Sequence, residues 1–133
     1  MNKVYLHKPL AADAQLGYVD ERGKVHQTRF GPDKYVGWVE LESGKIYENR
    51  LGPDNYIGRV DLRDGRIYLE KIGPDEYVGR VEEDGRLFSH AARAFDPYVG
   101  KVEDMISIAH GGAAYLLLVL PRLEEAQKTD NQE

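Results

Sequence analysis

A segment that returns at a fixed interval constrains this chain more than any other feature. Gly31-Pro32-Asp33-Lys34-Tyr35-Val36-Gly37 recurs as Gly52-Pro53-Asp54-Asn55-Tyr56-Ile57-Gly58 and as Gly73-Pro74-Asp75-Glu76-Tyr77-Val78-Gly79. A worn copy follows at Phe95-Asp96-Pro97-Tyr98-Val99-Gly100. Tyr35, Tyr56, Tyr77 and Tyr98 stand 21 residues apart, as do Val39, Val60, Val81 and Val102. An earlier partial copy, Gly17-Tyr18-Val19-Asp20-Glu21-Arg22-Gly23-Lys24-Val25, lacks the Gly-Pro-Asp. Such a period marks an array of like supersecondary units, none of which can bury its apolar face alone.

Each unit reads as a β-hairpin. The Tyr-Val-Gly-Arg-Val segments are short, β-branched and alternating, and turn residues bound them on both sides. Pro32, Pro53 and Pro74 suit the second position of a tight turn because the ring fixes φ, and the Asp that follows can bond local backbone. Gly23, Gly44, Gly65 and Gly85 suit the left-handed position that closes a hairpin loop. Setting the flanks of each loop opposite one another pairs Asp20 with Lys24, Glu40 with Lys45, Asp61 with Arg66 and Glu82 with Arg86. Opposite charges in every pair support that register. By strict alternation Tyr56, Gly58, Val60, Ile67 and Leu69 face the core, with Tyr35, Gly37, Val39, Ile46 and Tyr77, Gly79, Val81, Leu87 as equivalents. The glycines there leave room for a tyrosine ring to lie over bare backbone.

The expected fold is therefore all-β: an antiparallel meander of four to five tandem hairpins, barrel-like or strongly twisted, in a single domain over residues 1–120. The repeats run over about 16–30, 31–51, 52–72, 73–94 and 95–110, and residues 104–110 can complete the last hairpin. Gly111-Gly112 then break the chain before the apolar run 113–120. Periodicity leaves that run open as helix or central strand, and it packs on the sheet as a plug, a final strand, an edge cover or a subunit contact. Residues 121–133 read as a short helix or disordered tail, with disorder expected from Thr129 to Glu133.

The pattern Tyr-Val-Gly-x-Val, followed by Gly-Lys/Arg-Ile-Tyr, resembles uncharacterised bacterial proteins built from tandem β-hairpin repeats, broadly of MORN and WG type. It departs from MORN units in lacking their second glycine pair. The resemblance covers residues 16–120 as architecture. It implies a binding or scaffolding role and supplies no catalytic residues.

Charge and composition exclude several classes. The net charge of −5 argues against a nucleic-acid partner and a polybasic membrane-surface protein. The absence of Cys rules out disulfides, thiolate zinc sites and a Cys nucleophile. The longest apolar run, Ala113 to Leu120, falls far short of the roughly 20 residues of a spanning helix, and the first ten residues show no secretory pattern. The cytoplasm is the expected location.

Candidate chemistry is sparse. Asp33, Asp54 and Asp75 repeat, but each turn offers one carboxylate where a calcium loop gathers several, so they read as turn residues. His7, His26, His90 and His110 keep no metal-ligand spacing, and His110 reads as a loop or packing residue. Ser43, Ser89 and Ser107 lie in no nucleophile-elbow context. No catalytic residue, cofactor site or metal site is expected.

One surface stands out. The register sets Tyr18 opposite His26, Trp38 opposite Tyr47, Arg59 opposite Tyr68 and Arg80 opposite Phe88, on the face away from the core. This stripe of aromatic and arginine side chains is the candidate contact surface, although such pairs also serve to hold each hairpin together. The leading expectation is a non-enzymatic protein-interaction or scaffold module, with a protein partner or self-association. A carbohydrate or cell-envelope ligand on the same stripe is the alternative, and a small metal-dependent enzyme stands last for want of residues.

Overall fold

The computed structural model describes residues 2–131, with side chains through residue 128. Its strands are β1 (Asn2–Leu6), β2 (Ala14–Val19), β3 (Lys24–Gln27), β4 (Lys34–Val39), β5 (Lys45–Glu48), β6 (Asn55–Val60), β7 (Arg66–Leu69), β8 (Glu76–Val81), β9 (Arg86–Ser89) and β10 (Tyr98–Glu103). All pair antiparallel in a meander, and β1 joins β10 to β2, so the sheet closes into a barrel. The expected all-β meander of tandem hairpins is the fold, in its closed form.

Four hairpins are continuous: β2–β3, β4–β5, β6–β7 and β8–β9. The fifth is assembled from both ends of the chain. Val4 of β1 faces Val102 of β10 as Ile67 faces Val60 within the third hairpin. Lys3-Val4-Tyr5-Leu6 is thus the second half of a repeat whose first half lies at residues 98–103. Residues 104–110, expected to complete that hairpin, instead leave the sheet, and a helix begins at Ile108.

The hairpin loops form as the glycines imply: Gly23, Gly44, Gly65 and Gly85 all take positive φ, between 78° and 93°. The expected register is present too, since Asp61 N–H donates to the Arg66 carbonyl at 2.8 Å and Glu40 N–H to that of Lys45 at 2.8 Å. The charge pairs themselves differ. The Asp61 carboxylate accepts from Arg63, and Arg66 and Arg86 turn to Asp64 and Asp84. A short loop brings its own amides and guanidinium within easier reach of its acid than the opposite strand does.

One face assignment is overturned. The ladder slips between the tyrosine and the glycine of β4, β6, β8 and β10, so Ile46 faces Gly58 while Tyr47 faces Tyr56. This β-bulge inserts a residue, and an extra residue reverses the facing of what precedes it. Tyr35, Tyr56 and Tyr77 therefore lie on the outer wall. Val36, Ile57 and Val78 pack against the core in their place.

Inside, every strand contributes one fully buried aliphatic residue: Val4, Val19, Val25, Val39, Ile46, Val60, Ile67, Val81, Leu87 and Val102. Burying each is worth about 1.5–3 kcal/mol. The space they surround is filled by the apolar run, which is helical: α1 (Ile108–Ala114), a π-helical stretch (Tyr115–Val119) and α2 (Leu120–Asn131) follow without a break. A closed barrel offers no strand edge to pair with and no water for backbone groups, whereas a helix satisfies its own. Residues 132 and 133, part of the segment expected to be disordered, lie outside the described residues.

Gly111 and Gly112 do not break the chain; they let the helix approach the wall. A Cβ on Gly112 would lie 2.5 Å from Val60 Cγ1, and one on Gly111 2.7 Å from Met105 Sδ. One turn later the sizes reverse. Tyr115, Leu116 and Leu117 fill the places beside Gly79, Gly58 and Gly37, where an added Cβ would come within 2.7, 3.0 and 2.9 Å of those side chains. The room expected for a tyrosine ring over glycine is thus taken by Tyr115 at Gly79, and by leucines at the other two.

The π-helical stretch has a geometric reason. Three consecutive residues address three successive hairpins, and hairpins in a ring of five are about 72° apart. An α-helix turns by about 100° per residue. A turn closed by i→i+5 bonds rotates less per residue, which brings Tyr115–Val119 closer to the step of the wall. All five of those side chains are buried.

Candidate interaction surface

The stripe residues come together as the register places them. Tyr18 stacks on His26 with centroids 4.8 Å apart, and Trp38 stacks on Tyr47 at 4.5 Å. The Arg59 guanidinium lies 4.3 Å from the Tyr68 ring centre, and that of Arg80 4.2 Å from Phe88. The bulge adds a third member to each pair: Tyr35 on His26, Tyr56 on Tyr47, Tyr77 on Tyr68 and Tyr98 on Phe88, at 5.6 to 5.8 Å. With Lys101 over Tyr5, each of the five hairpins contributes a pair to this outer belt.

The belt is pinned by the turn aspartates. Trp38 Nε1 donates to Asp54 Oδ2 at 2.9 Å, Arg59 Nε to Asp75 Oδ2 at 3.3 Å and an Arg80 terminal nitrogen to Asp96 Oδ2 at 3.0 Å. The donor precedes its carboxylate by 16 residues each time, so each bond ties one hairpin to the turn that follows it. The second oxygen holds the turn: Arg50 N–H donates to Asp54 Oδ1 and Ala91 N–H to Asp96 Oδ1. The Ala91 amide, with His90 and Arg80 beside it, keeps the Asp96 carboxyl below its ordinary value. Partial burial, reinforced by Asp54, Asp75 and Asp96 in turn, raises the phenols of Tyr35, Tyr56 and Tyr77.

Three histidines touch belt rings, each near one carboxylate: His7 with Asp13, His26 with Asp20 and His90 with Asp96, at 3.3 to 3.4 Å. Among the described residues no three metal-ligating side chains gather. The fourth, His110, is buried at the start of α1. The Glu21 carbonyl, 3.4 Å from Nε2, can only accept, so Nε2 carries the proton. Nδ1 then accepts from the Ser107 hydroxyl at 2.7 Å, and Ser107 Oγ caps the helix by accepting from the His110 amide. All three side-chain heteroatoms of the pair are thus hydrogen-bonded at the helix end.

A second surface escaped the sequence reading. At the Gly-Pro-Asp end of the barrel, Leu10, Phe30, Leu51, Ile72 and Phe95 are 99–107% exposed. Each sits at the tip of one inter-hairpin loop, so every repeat contributes one apolar side chain to the rim. Gly31, Gly52 and Gly73, which follow three of them, have φ of 91°, 86° and 93° and nothing within 4 Å of a would-be Cβ. The signal was in the sequence: Arg29-Phe30, Arg50-Leu51 and Lys71-Ile72 share the 21-residue period directly ahead of Gly-Pro-Asp.

α2 leaves the barrel at this end. Leu123, Ala126 and Gln127 line a groove with Ser89, His90 and Pro97, and Arg122 lines another with Leu6 and Lys8. The first groove also takes in Glu76, Tyr77 and Val78, so the helix lies over the side formed by β8, β9, β10 and β1. Among the described residues no helix is long and apolar enough to cross a membrane. No protein-family model, curated protein or solved structure matches the chain.

Proposed function

We propose that the chain is a non-enzymatic interaction module, in which a rigid barrel presents one loop rim to a partner. The exposed rim carries this reading: five large apolar side chains, one per repeat, stand at one end in full contact with water. Scattered apolar residues on a surface need no explanation, but a ring of them at equivalent loop tips is the kind of patch that marks a contact site. The belt supports the rim: its indole and guanidinium donors already serve the turns that carry the tips, and Trp38 and Tyr47 occupy each other's ring faces. That favours the rim over sugar stacking on the belt.

A photo-crosslinking residue in place of Leu51, with one in place of Leu62 at the opposite end as control, tests the reading in cell extract. Adducts from the Leu51 position alone are expected. Adducts from the control position alone, or from neither, would overturn it.

A further inference from the structure

We infer that two copies of this chain associate rim to rim, through the arc of loops 28–34, 49–55 and 70–76; the inference rests on the rim reading and names its partner. The tips of these loops, Phe30, Leu51 and Ile72, stand fully exposed, and Glu76 at the end of the third loop borders the groove along α2.

The arc is complementary to its own reversal. Because the repeat is regular, Leu51 stands midway between equivalent neighbours. A twofold axis through the middle loop then places Leu51 against its copy, and Phe30 of one chain against Ile72 of the other, as a closed symmetric interface requires. The charges reverse in the same sense. Loop 28–34 carries Arg29 and Lys34 against Asp33, a net of +1. Loop 70–76 carries Lys71 against Glu70, Asp75 and Glu76, a net of −2. Loop 49–55, which meets itself, carries Arg50 and Asp54 and is neutral. Lys34, Asn55 and Glu76 are equivalent first residues of β4, β6 and β8, and all three are exposed. Reversal sets Lys34 against Glu76 twice and Asn55 against itself. A strongly charged partner of either sign would instead meet like charge on part of the arc.

Sedimentation velocity over a range of micromolar concentrations tests this on the full chain. The wild type is expected to be a dimer, and F30S/L51S/I72S to weaken it by at least about a hundredfold. Because these tips are fully exposed, thermal melting followed by circular dichroism should show the variant folded. K34E and E76K should each weaken the dimer about tenfold, since each alters two symmetric contacts. The double variant K34E/E76K should restore it, a rescue only a contact between copies explains, because within one chain the two residues lie two repeats apart. A wild type that stays monomeric, a dimer that survives loss of the tips, or a double variant no better than the singles would overturn the inference. A monomer whose Leu51 crosslinker captures a different protein would remove self-association and leave the rim reading standing; no adduct at all would remove both.

Discussion

The two ends of the barrel use the same residue in opposite surroundings. At the hairpin end, Gly44 and Gly65 take positive φ and also press on the next hairpin, where an added Cβ would collide with the carbonyls of Val60 and Val81. At the rim, Gly52 and Gly73 take similar φ with nothing near. The apolar residues divide the same way: Leu41 and Leu62 are 39% and 36% exposed, whereas Leu51 and Ile72 are wholly so. One end is closed by packing. The other is held by its turn residues and their aspartate ties to the belt, which leave its tips bare.

The widest expected gap between the ends comes from alanine at each kind of glycine. Gly65→Ala combines left-handed strain with a collision and should lower stability in urea unfolding by about 3–5 kcal/mol. Gly52→Ala carries only the strain, about 1–2 kcal/mol; equal losses would show that the rim is packed after all. Removing the tie between a turn and the belt comes next. Asp96→Ala should cost about 1 kcal/mol, the charged hydrogen bonds being discounted for their exposure to solvent.

Acid should act on the same tie. The Asp96 carboxyl lies below its ordinary value of 3.8 in the folded chain. Its contribution is therefore complete above pH 3.8 and is lost as pH falls through the lower folded value. The urea midpoint of the wild type should drop between pH 5 and pH 2.5, and Asp96→Asn should drop less. A variant with the same acid dependence would assign it to other carboxylates. The smallest effect is expected at the tips: Leu51→Ser should change stability by no more than about 0.5 kcal/mol, and a larger loss would mean that Leu51 packs within its own chain.

The hairpins were legible because their causes are local. Turn residues at fixed offsets and alternation set the register of β2–β3 through β8–β9 without reference to anything distant. The strand β1 was legible in principle, since Lys3-Val4-Tyr5-Leu6 matches Arg66-Ile67-Tyr68-Leu69, but half a repeat at the far end of the chain is easily passed over. The tyrosines misled because alternation holds only while the ladder keeps its count, and one inserted residue in β4, β6 and β8 turned them outward. Of the two surfaces, the belt could be assembled from register alone. The rim could not, because the residue before each Gly-Pro-Asp reads equally well as a loop side chain folded back onto the wall.

By itself, the sequence determined the internal register and loop geometry of the four continuous hairpins, since those follow from dihedral preferences and pairings a few residues long. Closure was decided in three dimensions, when β1 took the open edge of β10 across the whole length of the chain. Everything else followed from that closure. With no edge left, the apolar run had to satisfy its own backbone as a helix, and Gly111 and Gly112 became points of close approach instead of breaks. The same logic applies to the rim: a side chain is buried or bare according to what surrounds it, and only the folded barrel shows that nothing surrounds Phe30, Leu51 and Ile72.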